Sequence, residues 1–234
     1  MTDGPADPPV KVGERLARQI IEEIADAGWP IGQVLGTEPE LLERYGVSRN
    51  AFREAVRILE HLDSARMREG RGGGLMVTEP RPEPLTHAAA IYLRYRQVDV
   101  HDLYSARVSL EVDLVERATK AMNADREAEL RAVLVAEDSD TPHELLHHTS
   151  DLHVAISQAA DNEPLALFLH TLISLSDEYS RPKVKRSAKD MERRRKDSHR
   201  AHKAIVAAMV AGDADTATRR MRTHLSAIED WMPH

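Results

Sequence analysis

The chain opens on MTDGPADPP, which has no apolar rhythm, and then settles into a helical period. Leu16, Ile20, Ile21 and Ile24 recur at helical spacing and predict an amphipathic helix from Val10 to Ala27, stopped by Gly28. In WPIGQVLGTEPELLERYG, Thr37 and Glu40 form a T-x-x-E capping box with Pro39 tolerated in the first turn. A short helix is therefore expected from Glu38 to Tyr45, ended by Gly46. Ser48 then caps a third helix reaching about Leu62, with Phe52, Val56 and Leu59 as its buried stripe. In SARMREGRGGGLMVTEP the rhythm changes. Two strand-like runs, Ala65 to Arg68 and Leu75 to Thr78, flank Gly70, Gly72, Gly73 and Gly74, which reads as a β-hairpin. Three helices followed by a hairpin predict a winged helix-turn-helix over residues 10–78.

EPRPEPLTH, residues 79–87, is Pro-rich and marks a linker. Beyond it the pattern is helical throughout, so residues 88–231 are expected to form an all-helical domain and the fold class is mainly α. Helices are expected near 85–96, 99–121, 124–137, 141–160, 164–180, 187–211 and 214–231, with AGD at 211–213 marking one of the turns.

Composition adds limits. The chain has 234 residues, 41% of them hydrophobic and 30% charged, as in a soluble globular protein. Aromatics are only 4%, so the core must be aliphatic and Met-rich. With no cysteine, disulfides and thiolate metal sites are excluded, which fits a reducing cytoplasm. No apolar run approaches the roughly 20 residues that span a bilayer, and the N-terminus lacks signal architecture, so a cytoplasmic location is expected.

A formal net charge of -7 argues against indiscriminate coating of nucleic acid, yet residues 49–71 carry six arginines against four acids, a local balance of +2. Arg49 and Arg53 lie four apart at the start of the third helix, on one face and opposite its apolar stripe. A solvated charged face is the competing reading. The short capped helix before them and the hairpin arginines Arg66, Arg68 and Arg71 after them favour a helix that enters the DNA major groove by its N-terminal end.

GVSRNAFREAVRILE resembles the recognition region of GntR-superfamily repressors, and REGRGGGLMV resembles their wing. YSARVSLE, LHVAISQAADNEPL and HKAIVAAMVAGDADTATRRMRTHL resemble the FCD ligand domain of the FadR subfamily. The resemblance implies a homodimeric transcriptional regulator, a repressor, on a palindromic double-stranded DNA operator. Ser48, Arg49, Asn50, Arg53, Arg68, Arg71 and Gly72 would contact DNA, with Arg71 at the wing tip nearest the minor groove. It further implies an effector, a small carboxylate or an acyl derivative, bound in the helical domain, and no enzymatic activity. Two positions depart from the family: Pro39 stands where Arg is usual, and Asp63 where Gly usually follows the recognition helix. Asp tolerates the left-handed conformation that such a turn requires.

His153, His202 and His224 fall where the FCD family has metal ligands, and three imidazoles suit Zn, Ni or a similar divalent ion. The family's fourth ligand, a carboxylate four residues before the first His, is replaced by Thr149, so charge compensation from the usual acid is not expected. Metal binding would be weaker, or completed by a carboxylate-bearing effector or water, and Thr149 joins Arg107 and Asn162 as an effector-binding candidate. The alternative is three polar residues lining a metal-free pocket, as in acyl-CoA sensors. Arg107 matches an effector-facing arginine, or else pairs with Glu111; Asn162 matches a family asparagine next to the first histidine's helix, where capping of the following helix is favoured over contact with an effector.

A rival motif is HELLHHTSDLH at 143–153, which satisfies H-E-x-x-H with His143 and His147 as zinc ligands and Glu144 as base of a metallohydrolase. The extended protease pattern needs a glycine where Ser150 stands. On a continuing helix His153 lies about 9 Å further along the axis than His147 and roughly 120° around it, so the three cannot share one ion.

Overall fold

The computed structural model describes residues 11–139, 151–180 and 187–230. They divide into two compact units, Met1–Pro84 and Leu85–His234.

The first unit holds α1 (Val12–Asp26), β1 (Val34–Gly36), α2 (Glu38–Tyr45), α3 (Arg49–His61), β2 (Ala65–Arg68) and β3 (Gly74–Val77). Leu16, Ile20 and Ile24 of α1 pack against Phe52, Ala55 and Leu59 of α3, all nearly inaccessible to solvent. Each such large side chain stabilises the unit by about 1.5–3 kcal/mol through burial. The capping box at α2 is present: the Thr37 backbone N–H donates to Glu40 Oε2 at 2.7 Å. That bond holds the Glu40 carboxyl below its ordinary pKa. Gly46, at φ 61, turns the chain out of α2, and Ser48 Oγ accepts the Ala51 N–H at 3.3 Å to start α3.

The hairpin is there, with β2 antiparallel to β3 and Arg66 opposite Met76. A third strand, β1, joins β3 on its other side to give the order β1-β3-β2. Sequence periodicity did not foresee β1, because three residues, VLG, are too few to display alternation. Gly74 makes this junction possible: at φ 148, a Cβ there would lie 2.4 Å from the Gly36 carbonyl oxygen. At the end of α3, Asp63 takes φ 52, the left-handed conformation expected of it.

The second unit contains α4 (Glu83–Tyr95, which begins just before the division), α5 (Val100–Lys120), α6 (Ala124–Ser139), α7 (Asp151–Ala159), α8 (Glu163–Ser180), α9 (Ala188–Val210) and α10 (Ala214–Glu229). The long α5 packs against α7, α8 and α10, and α9 packs against α6 and α10. The main core cluster is built from Leu, Ile, Val, Ala and Met, as the scarcity of aromatics requires. Asp213 caps α10 by accepting the Thr216 N–H at 2.9 Å, which sets where that helix begins. Among the described residues no helix is long and apolar enough to cross a membrane.

Candidate functional site

In the first unit, the exposed face of α3 carries Arg49, Asn50, Arg53 and Arg57, while Phe52, Ala55, Val56 and Leu59 point inward. The arginine pair is thus directed to solvent. Arg53 keeps a loose ion pair with Glu38, Nε to Oε1 at 4.0 Å, with two thirds of its side chain exposed. Such a pair is worth little and yields readily to phosphate. Arg68 is placed differently from a free groove reader. Its Nη2 donates to the Gly72 carbonyl at 2.6 Å, tying the wing's tip back to β2. Arg71 lies exposed at that tip.

In the second unit, three histidines occupy core-facing positions of three helices. His153 follows Leu152 and precedes Ile156 on α7; His202 shares a face with Ile205, Val206 and Met209 on α9; His224 lies between Met221 and Leu225 on α10. Burying those apolar stripes carries the imidazoles inward, and none is more than 5% exposed. Their Nε2 atoms converge: His202 to His224 is 3.0 Å and His224 to His153 is 3.3 Å.

Carboxylates lie behind the rings. Glu137 of α6 faces His202 Nδ1 with both oxygens, at 2.8 and 3.0 Å, and Glu111 of α5 binds His153 Nδ1 through Oε2. A carboxylate at Nδ1 fixes the proton on that nitrogen and leaves Nε2 as a lone pair. His224 can donate a single Nε2 proton to one neighbour at most, so the imidazoles cannot satisfy all three converging Nε2 atoms among themselves. This arrangement suits a cation. Zn–N bonds of about 2.0–2.1 Å in tetrahedral disposition place ligand nitrogens about 3.3 Å apart. The three residues therefore fit a divalent metal and form a group able to hold one.

Electrostatics agree. Burial lowers the pKa of His202, although Glu137 opposes the shift; burial and the neighbouring histidines lower that of His224 well below the ordinary value. Both rings are thereby neutral and available as ligands. Burial pushes Glu111 up, but His153 and Arg107 outweigh it and leave the carboxyl at about 2.

The usual ligating acid is absent from the sequence, and two other carboxylates, Glu111 and Glu137, lie directly behind the imidazoles. Thr149 lies outside the described residues, as do His143, Glu144 and His147. Arg107 is 3% exposed, and its Nε donates to Glu111 Oε1 at 2.8 Å, so the ion pair weighed from sequence exists. The same guanidinium lies near enough to His224 to lower its pKa, which puts it beside the histidine cluster. Asn162 Oδ1 accepts the Leu165 N–H at 3.1 Å; its carbonyl caps α8 instead of standing free for an effector. Ser198 was missed in sequence, although it lies one helical turn before His202; its Oγ is 3.5 Å from the inward-facing Nε2. Glu137 left no signal, being 65 residues from the ring it orients.

Residues 12–74 match the family described as bacterial regulatory proteins, gntR family, and residues 102–227 match the FCD domain. An uncharacterized HTH-type transcriptional regulator of Mycobacterium tuberculosis is 30% identical over 166 residues, 69% of this chain and 62% of that protein. The chain thus matches less than two thirds of that relative's length. The Glc operon transcriptional activator of Escherichia coli K12 is 27% identical over 235 residues, 92% of this chain and 87% of the relative. The solved structure of Streptococcus agalactiae GntR matches with a TM-score of 0.68 at 21% identity, covering 93% of this chain and 99% of that one, a likeness of fold.

Proposed function

The chain belongs to the gntR family of bacterial transcriptional regulators and carries an FCD domain, and on that premise we propose that it is an effector-controlled repressor of the FadR type. Residues 10–78 read DNA, residues 79–87 link, and residues 88–231 sense a small molecule. The observation that carries the DNA reading is the solvent-facing pair Arg49 and Arg53 at the capped start of α3, opposite its buried stripe. Ser48, Asn50, Arg71 and Gly72 are the further contacts, and Arg68 holds the wing in shape. The two-fold symmetry of a homodimer would match a palindromic operator. Screening over roughly 8–10 Å lets a chain of net charge -7 present these arginines to phosphate.

The effector reading is a small carboxylate held beside a metal. His153, His202 and His224 would hold the ion, and the ion, when bound, supplies a Lewis-acidic partner for a carboxylate oxygen. Arg107 contributes a fixed positive charge beside the cluster, while Glu111 keeps it oriented. The convergence of three Nε2 atoms favours this over a metal-free acyl-CoA sensor. Control follows if the effector binds one conformation of the dimer more tightly than the other, since only that difference shifts operator affinity.

The test is a gel-shift titration on DNA upstream of the chain's own coding sequence. Arg49→Ala and Arg53→Ala are each expected to weaken sequence-specific binding by about 1–3 kcal/mol. Unchanged affinity in both variants would remove α3 as the reading element. Elemental analysis checks the metal: purified wild type is expected to carry a divalent ion and His202→Ala to lose it. Equal content in the two would take His202 out of the site.

A further inference from the structure

We propose that Glu137 is the carboxylate that orients His202 and supplies the anionic charge for a cation held by the three imidazoles. The inference rests on the metal reading of that site and assigns it a positioning residue on α6, a helix that carries none of the three imidazoles.

Glu137 is 4% exposed, and both its oxygens lie within hydrogen-bond reach of His202 Nδ1. Its Oε2 also meets His199 Nδ1 at 3.0 Å, and His199 Nε2 lies 2.8 Å from Asp138 Oδ1. One carboxylate thus spans two imidazoles a helical turn apart on α9 and clamps that helix to α6. The clamp sets the ring plane of His202 and the nitrogen that carries its proton, leaving the other nitrogen directed at His224.

Glu137 and Glu111 are not equivalent. Glu111 accepts from the Arg107 guanidinium at 2.8 Å, so a permanent cation already matches its charge. The ion-pair partners of Glu137 are imidazoles, and the neighbouring ammonium, Lys203 Nζ, is engaged by Asp138 at 2.9 Å. Among the described residues, Glu137 thus carries a negative charge whose ion-pair partners are imidazoles and not an Arg or Lys. A buried divalent ion on three neutral nitrogens needs such a charge close by. Thr149 cannot provide it, having no carboxylate.

The experiment uses the full chain, stripped of metal and titrated with Co2+, whose visible absorption reports both affinity and ligand geometry. Glu137→Gln keeps an oxygen that can accept from His202 but removes the charge; it is expected to weaken Co2+ binding about 10- to 100-fold. Glu137→Asp, which restores the charge, is expected to bind more tightly than Glu137→Gln. Wild-type affinity in Glu137→Gln overturns the proposal and leaves the metal reading standing. A wild type that binds no Co2+, or a His202→Ala variant that binds it like wild type, overturns the metal reading and the proposal with it. Nitrogen NMR of the imidazoles needs no substitution and so decides the matter even where Glu137→Gln does not fold: the proposal requires His202 to carry its proton on Nδ1 in the metal-free protein, and a proton on Nε2 overturns it.

Discussion

His224 shows how burial and neighbours set the protonation of a single ring. It lies 5% exposed between His153 and His202, and its pKa is pushed well below 6.5 by burial first and by the adjacent rings second. His202 shifts the same way, again chiefly through burial. In the metal-free protein this makes stability depend on pH with a definite sign. The unfolded chain takes up protons on these rings at about pH 6.5, while the folded chain does so only at lower pH, so acid favours unfolding. The thermal midpoint of chelator-treated protein is expected to be level above about pH 7 and to fall between about pH 6.5 and 5. A midpoint unchanged across that range would contradict the assignment of neutral, buried rings. Glu111 adds a second loss at lower pH: its carboxyl, held at about 2, resists protonation that the unfolded chain accepts near its ordinary value of 4.5. Its stabilisation is present above that value and is lost as pH falls toward 2.

At the scale of elements, α3 depends on how it ends as well as on what it presents. Asp63 turns the chain from α3 into β2 at φ 52, and its Oδ2 accepts from Arg81 Nη2 at 3.1 Å. The left-handed conformation strains any residue with a Cβ, and branching at that carbon strains it further. Asp63→Gly relieves the strain and loses an exposed ion pair worth little, so it is expected within about 1 kcal/mol of wild type. Asp63→Val keeps no compensation and is expected to destabilise the first unit by about 1–3 kcal/mol. Trp29 fluorescence in a urea titration, with the other tryptophan removed as Trp231→Phe, reads this locally, because its indole N–H donates to the Thr78 carbonyl at 2.9 Å in the same unit. Equal midpoints for the two variants would mean that this turn is not strained. The caps of α2 and α3 and the Gly-rich turn were legible because each rests on contacts three or four residues apart. β1 was not, since its only justification is its neighbour β3, some forty positions away.

For the whole molecule, the histidine cluster lies entirely within Leu85–His234, and the arginine face of α3 lies within Met1–Pro84. Metal should therefore stabilise one unit in particular. At a free metal concentration about 100-fold above Kd, binding contributes about 2.7 kcal/mol to the unit that holds the ion. Thermal unfolding with and without metal is expected to shift the transition of the second unit while the Trp29 signal, read with Trp231→Phe, stays in place. Equal shifts of both signals, or of neither, would argue against a metal site confined to that unit. The chain by itself determined the helical pattern of the described segments, the winged motif and the outward arginines, because periodicity, capping and short motifs are local; the three histidines were grouped by their resemblance to the ligand positions of the FCD family. Only the tertiary structure decided which carboxylates serve those histidines. Glu111 and Glu137 reach them across 42 and 65 residues, from helices whose own patterns give no sign of it. Hydrogen bonds between helices depend on how apolar stripes pack, and a one-dimensional pattern records that each stripe is buried but not which side chain it comes to face.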